Sequence, residues 1–98
     1  MFKTRDDWDH ASKGAIGTSA VQITTSTFQC VKGMLIRADP ANTGIVYIGQ
    51  SDVTANSAAA TDGLPLEAGD AVMIEVNQVK FVYAIASAAG QKVFWTAV

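Results

Sequence analysis

The chain has 98 residues and a mass of 10.3 kDa, room for one small domain that on folding buries about two-thirds of the surface its unfolded form exposes. Seven Lys plus Arg against nine Asp plus Glu give a net charge of −2 and a pI near 5.0, which argues against a nucleic-acid or anionic-membrane partner held by bulk charge. One Cys excludes an intramolecular disulfide, and one Cys with one His is too few for a tetrahedral zinc site built from those residue types.

Residue usage favours sheet. Val, Ile and Thr together number 26 against three Leu, and their stiff side-chain rotamers suit a pleated surface better than a helix. Sixteen Ala inflate the apolar fraction, so the effective core comes from the larger apolar residues, enough for one sandwich. No apolar run approaches the ~18 residues that span a bilayer, and no apolar stretch of signal-peptide type follows Lys3 and Arg5. The expectation is a chain made in the cytoplasm, without a membrane anchor.

Residues 1–19 read as an N-terminal arm ahead of a sandwich domain at 20–98. Asp6, Asp7 and Asp9 mix with Lys3, Arg5 and Lys13, small residues follow, and no period of two or 3.6 runs through the segment. Phe2 and Trp8 would be poorly placed in water, so the arm is expected to dock, either on its own domain or on a neighbouring subunit. From Ala20 the chain alternates. Val21, Ile23 and Thr25 share one face, and a second run covers Phe28 to Val31. Met34, Ile36 and Ala38 alternate with Leu35, Arg37 and Asp39, and residues 39–44, with Pro40, Asn42 and Gly44, make a turn. Ile45 to Ile48 is a dense strand with both faces apolar.

Residues 49–63 read as a long polar loop around one brief strand near Asp52 to Thr54, and loops of this size often bind ligands. Leu64-Pro65-Leu66 suits an edge strand. A hairpin is then expected, with Val72, Ile74 and Val76 on one strand and Phe81, Tyr83 and Ile85 on the other, turned by Asn77-Gln78. A final strand spans Gln91 to Ala97. The fold class is all-β: a small antiparallel β-sandwich, jelly-roll-like, of about eight short strands with an extended N-terminal arm. Glu75, Lys80 and Lys92 are the main charges available to protect sheet edges, which partner subunits could cover instead.

Catalytic devices are hard to assemble. The one imidazole, His10, lies in the arm, away from any Ser or from Cys30, which reads as a buried thiol. Asp6, Asp7 and Asp9 lack the spaced ladder of a calcium loop, and Lys32-Gly33 has no second Gly at phosphate-loop spacing. Asp52, Asp62, Glu67, Asp70 and Glu75 fall in turns and loops as ordinary exposed acids, and Tyr47, Tyr83, Phe81, Phe94 and Trp95 fall in strand patterns as packing residues. The expectation is a non-enzyme with no cofactor and no metal.

The segment Val46-Tyr47-Ile48-Gly49-Gln50-Ser51-Asp52-Val53-Thr54, followed by Leu64-Pro65-Leu66-Glu67-Ala68-Gly69-Asp70 and by Val72 to Val76, Tyr83 to Ser87 and Ala89-Gly90-Gln91, resembles small tailed-bacteriophage virion proteins over residues 33–97. The resemblance implies a capsid decoration or cement protein, or a head- or tail-fibre module, built on a β-sandwich that often assembles as a homotrimer and works in the virion. The implied partners are other copies of the chain and the major capsid protein, with no nucleic acid and no membrane. Phe2, Arg5 and Trp8 are the candidate capsid contacts, chosen from the composition of the arm. The alternative is a module that binds host-surface carbohydrate through the long loop, with Tyr47, Asp52, Asn56 and Asp62 as candidate contacts.

Overall fold

The computed structural model describes residues 8–98. It is all-β, with β1 (Asp9–Ile16), β2 (Val21–Gln22), β3 (Met34–Ala38), β4 (Val46–Gly49), β5 (Leu64–Leu66), β6 (Ala71–Ile74), β7 (Tyr83–Ala86) and β8 (Gln91–Ala97). One turn of 3₁₀ helix spans Val79–Phe81. The strands form two antiparallel four-stranded sheets, ordered β1-β8-β3-β6 and β2-β7-β4-β5. Only β4 and β5 are consecutive strands within one sheet; every other connection crosses to the opposite sheet.

The alternation read from the sequence sets the facing. Met34, Ile36 and Ala38 of β3 and Val93, Trp95 and Ala97 of β8 are buried, while Leu35, Arg37, Phe94 and Thr96 between them are exposed. From the other sheet, Val46, Ile48, Leu66, Ala84 and Ala86 meet them in one core. Full burial of a side chain such as Ile36 or Val93 contributes about 1.5–3 kcal/mol, so this shared layer is the main attraction between the sheets. Gln91 enters the same layer. Its Oε1 accepts from the Thr43 N–H (3.0 Å) and the Gly44 N–H (2.9 Å), and its Nε2 donates to Thr43 Oγ1 (3.2 Å) and the Ala89 carbonyl (2.7 Å). That side chain ties the 39–44 turn to the start of β8.

Several expectations change. Of the arm, residues 1–7 lie outside the described residues, while Asp9 to Ile16 form edge strand β1, in register with β8 from Asp9↔Ala97 to Ser12↔Phe94. The strand has no apolar alternation because only Ile16 enters the core; the backbone ladder holds it, helped by Ser26 Oγ donating to Asp9 Oδ2 at 3.0 Å. Docking is thus onto the chain's own domain for the described part of the arm. Of the two strands expected before Gly33, the first is only Val21–Gln22 and the second is a single Gln29↔Gln78 bridge. The brief strand near Asp52 is likewise one bridge, Thr54↔Asp62.

The expected hairpin of Val72–Val76 with Phe81–Ile85 does not form: β6 pairs with β3, and β7 pairs with β2 and β4. The 3₁₀ turn between them, anchored by fully buried Val79, carries the chain from one sheet to the other, and Phe81 points out at 50% exposure. Lys92 sits on the inner strand β8 rather than on an edge.

Candidate functional site

The outward faces of the two sheets differ. On β1-β8-β3-β6 the register sets His10, Thr96, Leu35 and Met73 side by side, with Ser12, Phe94, Arg37 and Ala71 in the next row. Leu35 and Phe94 are 41% exposed and Met73 49%. Trp8, 57% exposed, packs its ring on His10 at 5.2 Å between centroids and so lengthens the row at the β1 edge. Lys92 Nζ stands 4.8 Å above the Phe94 ring. No acidic residue occupies an outward position in these two rows, which set Leu35, Met73 and Phe94 among His10, Ser12 and Thr96 with one cation, Arg37; Lys92 lies in the row beyond, opposite Asp39. No described segment covers this face. Natural monomers rarely leave large apolar side chains contiguous in this way.

The outward face of β2-β7-β4-β5 is roofed. Tyr47 and Ile85 point out of the sheet and, with Val53 from the long loop, make a second small core flanked by Ile45, Ala55 and Tyr83. The loop can lie this close because Gly49 and Gly63 cradle Val53: a Cβ at Gly49 would sit 2.7 Å from Val53 Cγ2, and one at Gly63 would sit 2.6 Å from Val53 Cγ2 and 2.7 Å from the Ile48 carbonyl oxygen. All three distances are below what real side chains tolerate.

One carboxylate organises the loop tip. Asp62 accepts from Thr54 Oγ1 (2.7 Å), Ser57 Oγ (2.7 Å), the Ser57 N–H (3.0 Å) and the Ala58 N–H (3.1 Å). These bonds, led by the Thr54 hydroxyl, favour the ionised form and hold its pKa below the ordinary aspartate value of 3.8. They also fix a strained backbone: Asn56 and Ala58 adopt φ of +40° and +62°, a region that side chains other than glycine rarely enter. Between this tip and the sheet lies an open concavity of about 490 Å³, bounded by Thr18, Tyr47, Thr54, Ala55, Asn56, Ser57, Ile85, Ala86 and Ser87.

The sequence candidates fall as follows. Phe2 and Arg5 lie outside the described residues. Trp8 flanks the open apolar face, which its composition did not foretell. Tyr47 and Asn56 border the concavity, Asp62 builds its rim from behind, and Asp52 is an exposed residue that does not line it. Tyr47 is only 7% exposed, so its ring is a floor and offers no broad stacking surface. Thr18 and Ser87, which complete the concavity, come from connections far from the loop in sequence. Among the described residues no group of three or more His, Cys, Asp or Glu side chains could hold a metal ion. Cys30 is half-buried against the core. Among the described residues no helix is long and apolar enough to cross a membrane. No family model, no curated protein and no solved structure matches the chain.

Proposed function

We infer that this chain is a non-enzymatic structural protein of a bacteriophage virion, a capsid cement or decoration subunit that binds and stabilises the head shell as a homotrimer. The observation that carries the reading is the uncovered face of β1-β8-β3-β6, with Trp8, Leu35, Met73 and Phe94 exposed on a rigid sheet. The strand order gives further support, because two four-stranded sheets linked by crossing connections match the eight-stranded jelly roll, an architecture much used in capsid proteins.

A rigid face suits this task. Affinity lost to ordering is small when the contact surface is a sheet already fixed by its core, and three copies on one symmetry axis multiply modest contacts into firm attachment. Arg37 and Lys92 favour a shell surface that presents acids around an apolar centre. The test is co-sedimentation of the purified chain with empty head shells assembled from the major capsid protein of the phage that carries it. Saturable binding that Phe94→Glu abolishes supports the reading. Absence of binding by the wild-type chain to shells that assemble normally overturns it.

A further inference from the structure

We propose that the concavity beneath the long loop is a binding site for a single neutral sugar residue. This goes beyond the structural role and does not depend on it, since the concavity lies on the sheet opposite to the open apolar face. Three features of the lining carry the argument.

The first is the set of polar groups left over. Thr54 and Ser57 spend their hydroxyls on Asp62, whereas the side chains of Thr18, Tyr47 and Asn56 have no hydrogen-bond partner among the described residues. The buried side-chain polar atom lacking a partner is Trp95 Nε1, so the Tyr47 hydroxyl reaches the surface despite the burial of its ring. Ser87 Oγ accepts from the Ile45 N–H and keeps its own proton to donate. Two hydroxyls and an amide that can each donate and accept, with one further donor, match a ligand dense in hydroxyl groups.

The second is the floor. Ile85 and Ala55, from the small outer core, supply an apolar patch among those polar groups, as the C–H face of a pyranose requires. The third is the charge. No Lys or Arg lines the concavity to attract an anion, and the nearby Asp62 carboxylate has its acceptor sites taken up by the loop, which leaves little for a cation. The volume of about 490 Å³ lies within the range of small-ligand sites and admits one ring with room for a linkage to leave through the open side. The loop tip is preorganised: Asp62 braces the backbone on either side of Asn56, so the chain that carries the amide is already set when ligand arrives.

The experiment is an NMR titration of the isotopically labelled chain with the methyl glycosides of glucose, galactose, mannose and N-acetylglucosamine, and with inorganic phosphate as an anionic probe. The expected result is a saturable shift, for at least one neutral glycoside, of the Asn56 side-chain amide together with the Thr18 and Ser87 backbone amides. Asn56→Gly, which accepts the positive φ while removing the amide, weakens that binding by roughly tenfold, the loss of a net hydrogen bond or two. Thr18→Val gives a smaller loss in the same direction without touching the loop. No saturable shift with any neutral glycoside overturns the proposal, as does a response to phosphate alone or a glycoside response that survives both substitutions unchanged.

Discussion

Replacing Gln91 by Leu tests how far a single polar side chain holds this sandwich together. Gln91 is 1% exposed, and Leu has a similar volume, so neither a large cavity nor overpacking accompanies the change. Four hydrogen bonds disappear. The Thr43 and Gly44 N–H groups and the Ala89 carbonyl lose their partner beside the core, while the Thr43 hydroxyl can turn to water. A buried backbone group left unsatisfied costs about 1–3 kcal/mol; Thr43 and Ala89 are exposed residues whose groups water can partly reach, and Leu transfers better than Gln, so the net loss is about 2–3 kcal/mol. A domain of this size has roughly 5–15 kcal/mol of total stability, so the variant gives up a sizeable share and melts at least ~8 °C lower. Urea unfolding followed by circular dichroism measures the difference, with Thr43→Val as a control that removes only the hydroxyl and costs under about 1 kcal/mol. A loss below about 1 kcal/mol for Gln91→Leu would refute the claim that this side chain anchors the 39–44 turn.

Further outcomes concern the loop and the open face. Gly63→Ala drives a methyl into Val53 Cγ2 and the Ile48 carbonyl oxygen, so the loop must lift; a stability loss of about 1–3 kcal/mol is expected, with faster hydrogen exchange at Val53 and Thr54. The lowered pKa of Asp62 means that its contribution to the loop is complete above 3.8 and is lost as pH falls through the lower folded value; the protection of the Ser57 and Ala58 amides, taken relative to unstructured amides at the same pH, should be steady from neutral pH down to that point and fall below it, and Asp62→Asn should remove that fall. Leu35→Glu and Phe94→Glu should change stability by no more than ~0.5–1 kcal/mol while removing any association that uses the open face, since both side chains are already 41% exposed.

Much of the architecture was legible because facing follows from alternation alone. Met34 to Ala38 and Gln91 to Ala97 gave up their inner and outer residues directly, and the doubly apolar Ile45 to Ile48 signalled a strand with cover on both sides, which Val53 supplies. Even Gln91 carried a signal, since it shares parity with Val93 and Trp95. Alternation says which way a side chain points and nothing about which strand it pairs with, so Val72–Val76 and Phe81–Ile85 looked like a hairpin although buried Val79 splits them between sheets. Strand β1 was invisible for a different reason. Its pairing rests on backbone bonds, a bulge between Lys13 and Ile16 breaks its register, and Ala15 takes φ +55° there.

The loop showed the same division. A stretch rich in Ser, Thr, Asn and Asp between two glycines pointed to Asn56 and Asp62. It could not reveal that Asp62 serves as a brace, or that Thr18 and Ser87 border the same space, because those contacts are created by the packing of β2, β4 and β7. The open face followed a rule in reverse: Leu35, Phe94 and Met73 occupy the positions where alternation calls for polar residues, and that mismatch is the observation on which the proposed assembly role rests.

The central claim is that the chain acts as a trimer whose open faces meet a shell, and the molar mass of the purified chain in solution tests the trimer most directly. Light scattering coupled to size exclusion should give about 31 kDa, three times the 10.3 kDa of one chain, and Phe94→Glu should keep that mass while losing shell binding. A wild-type chain that stays at 10.3 kDa across the accessible concentration range would contradict it.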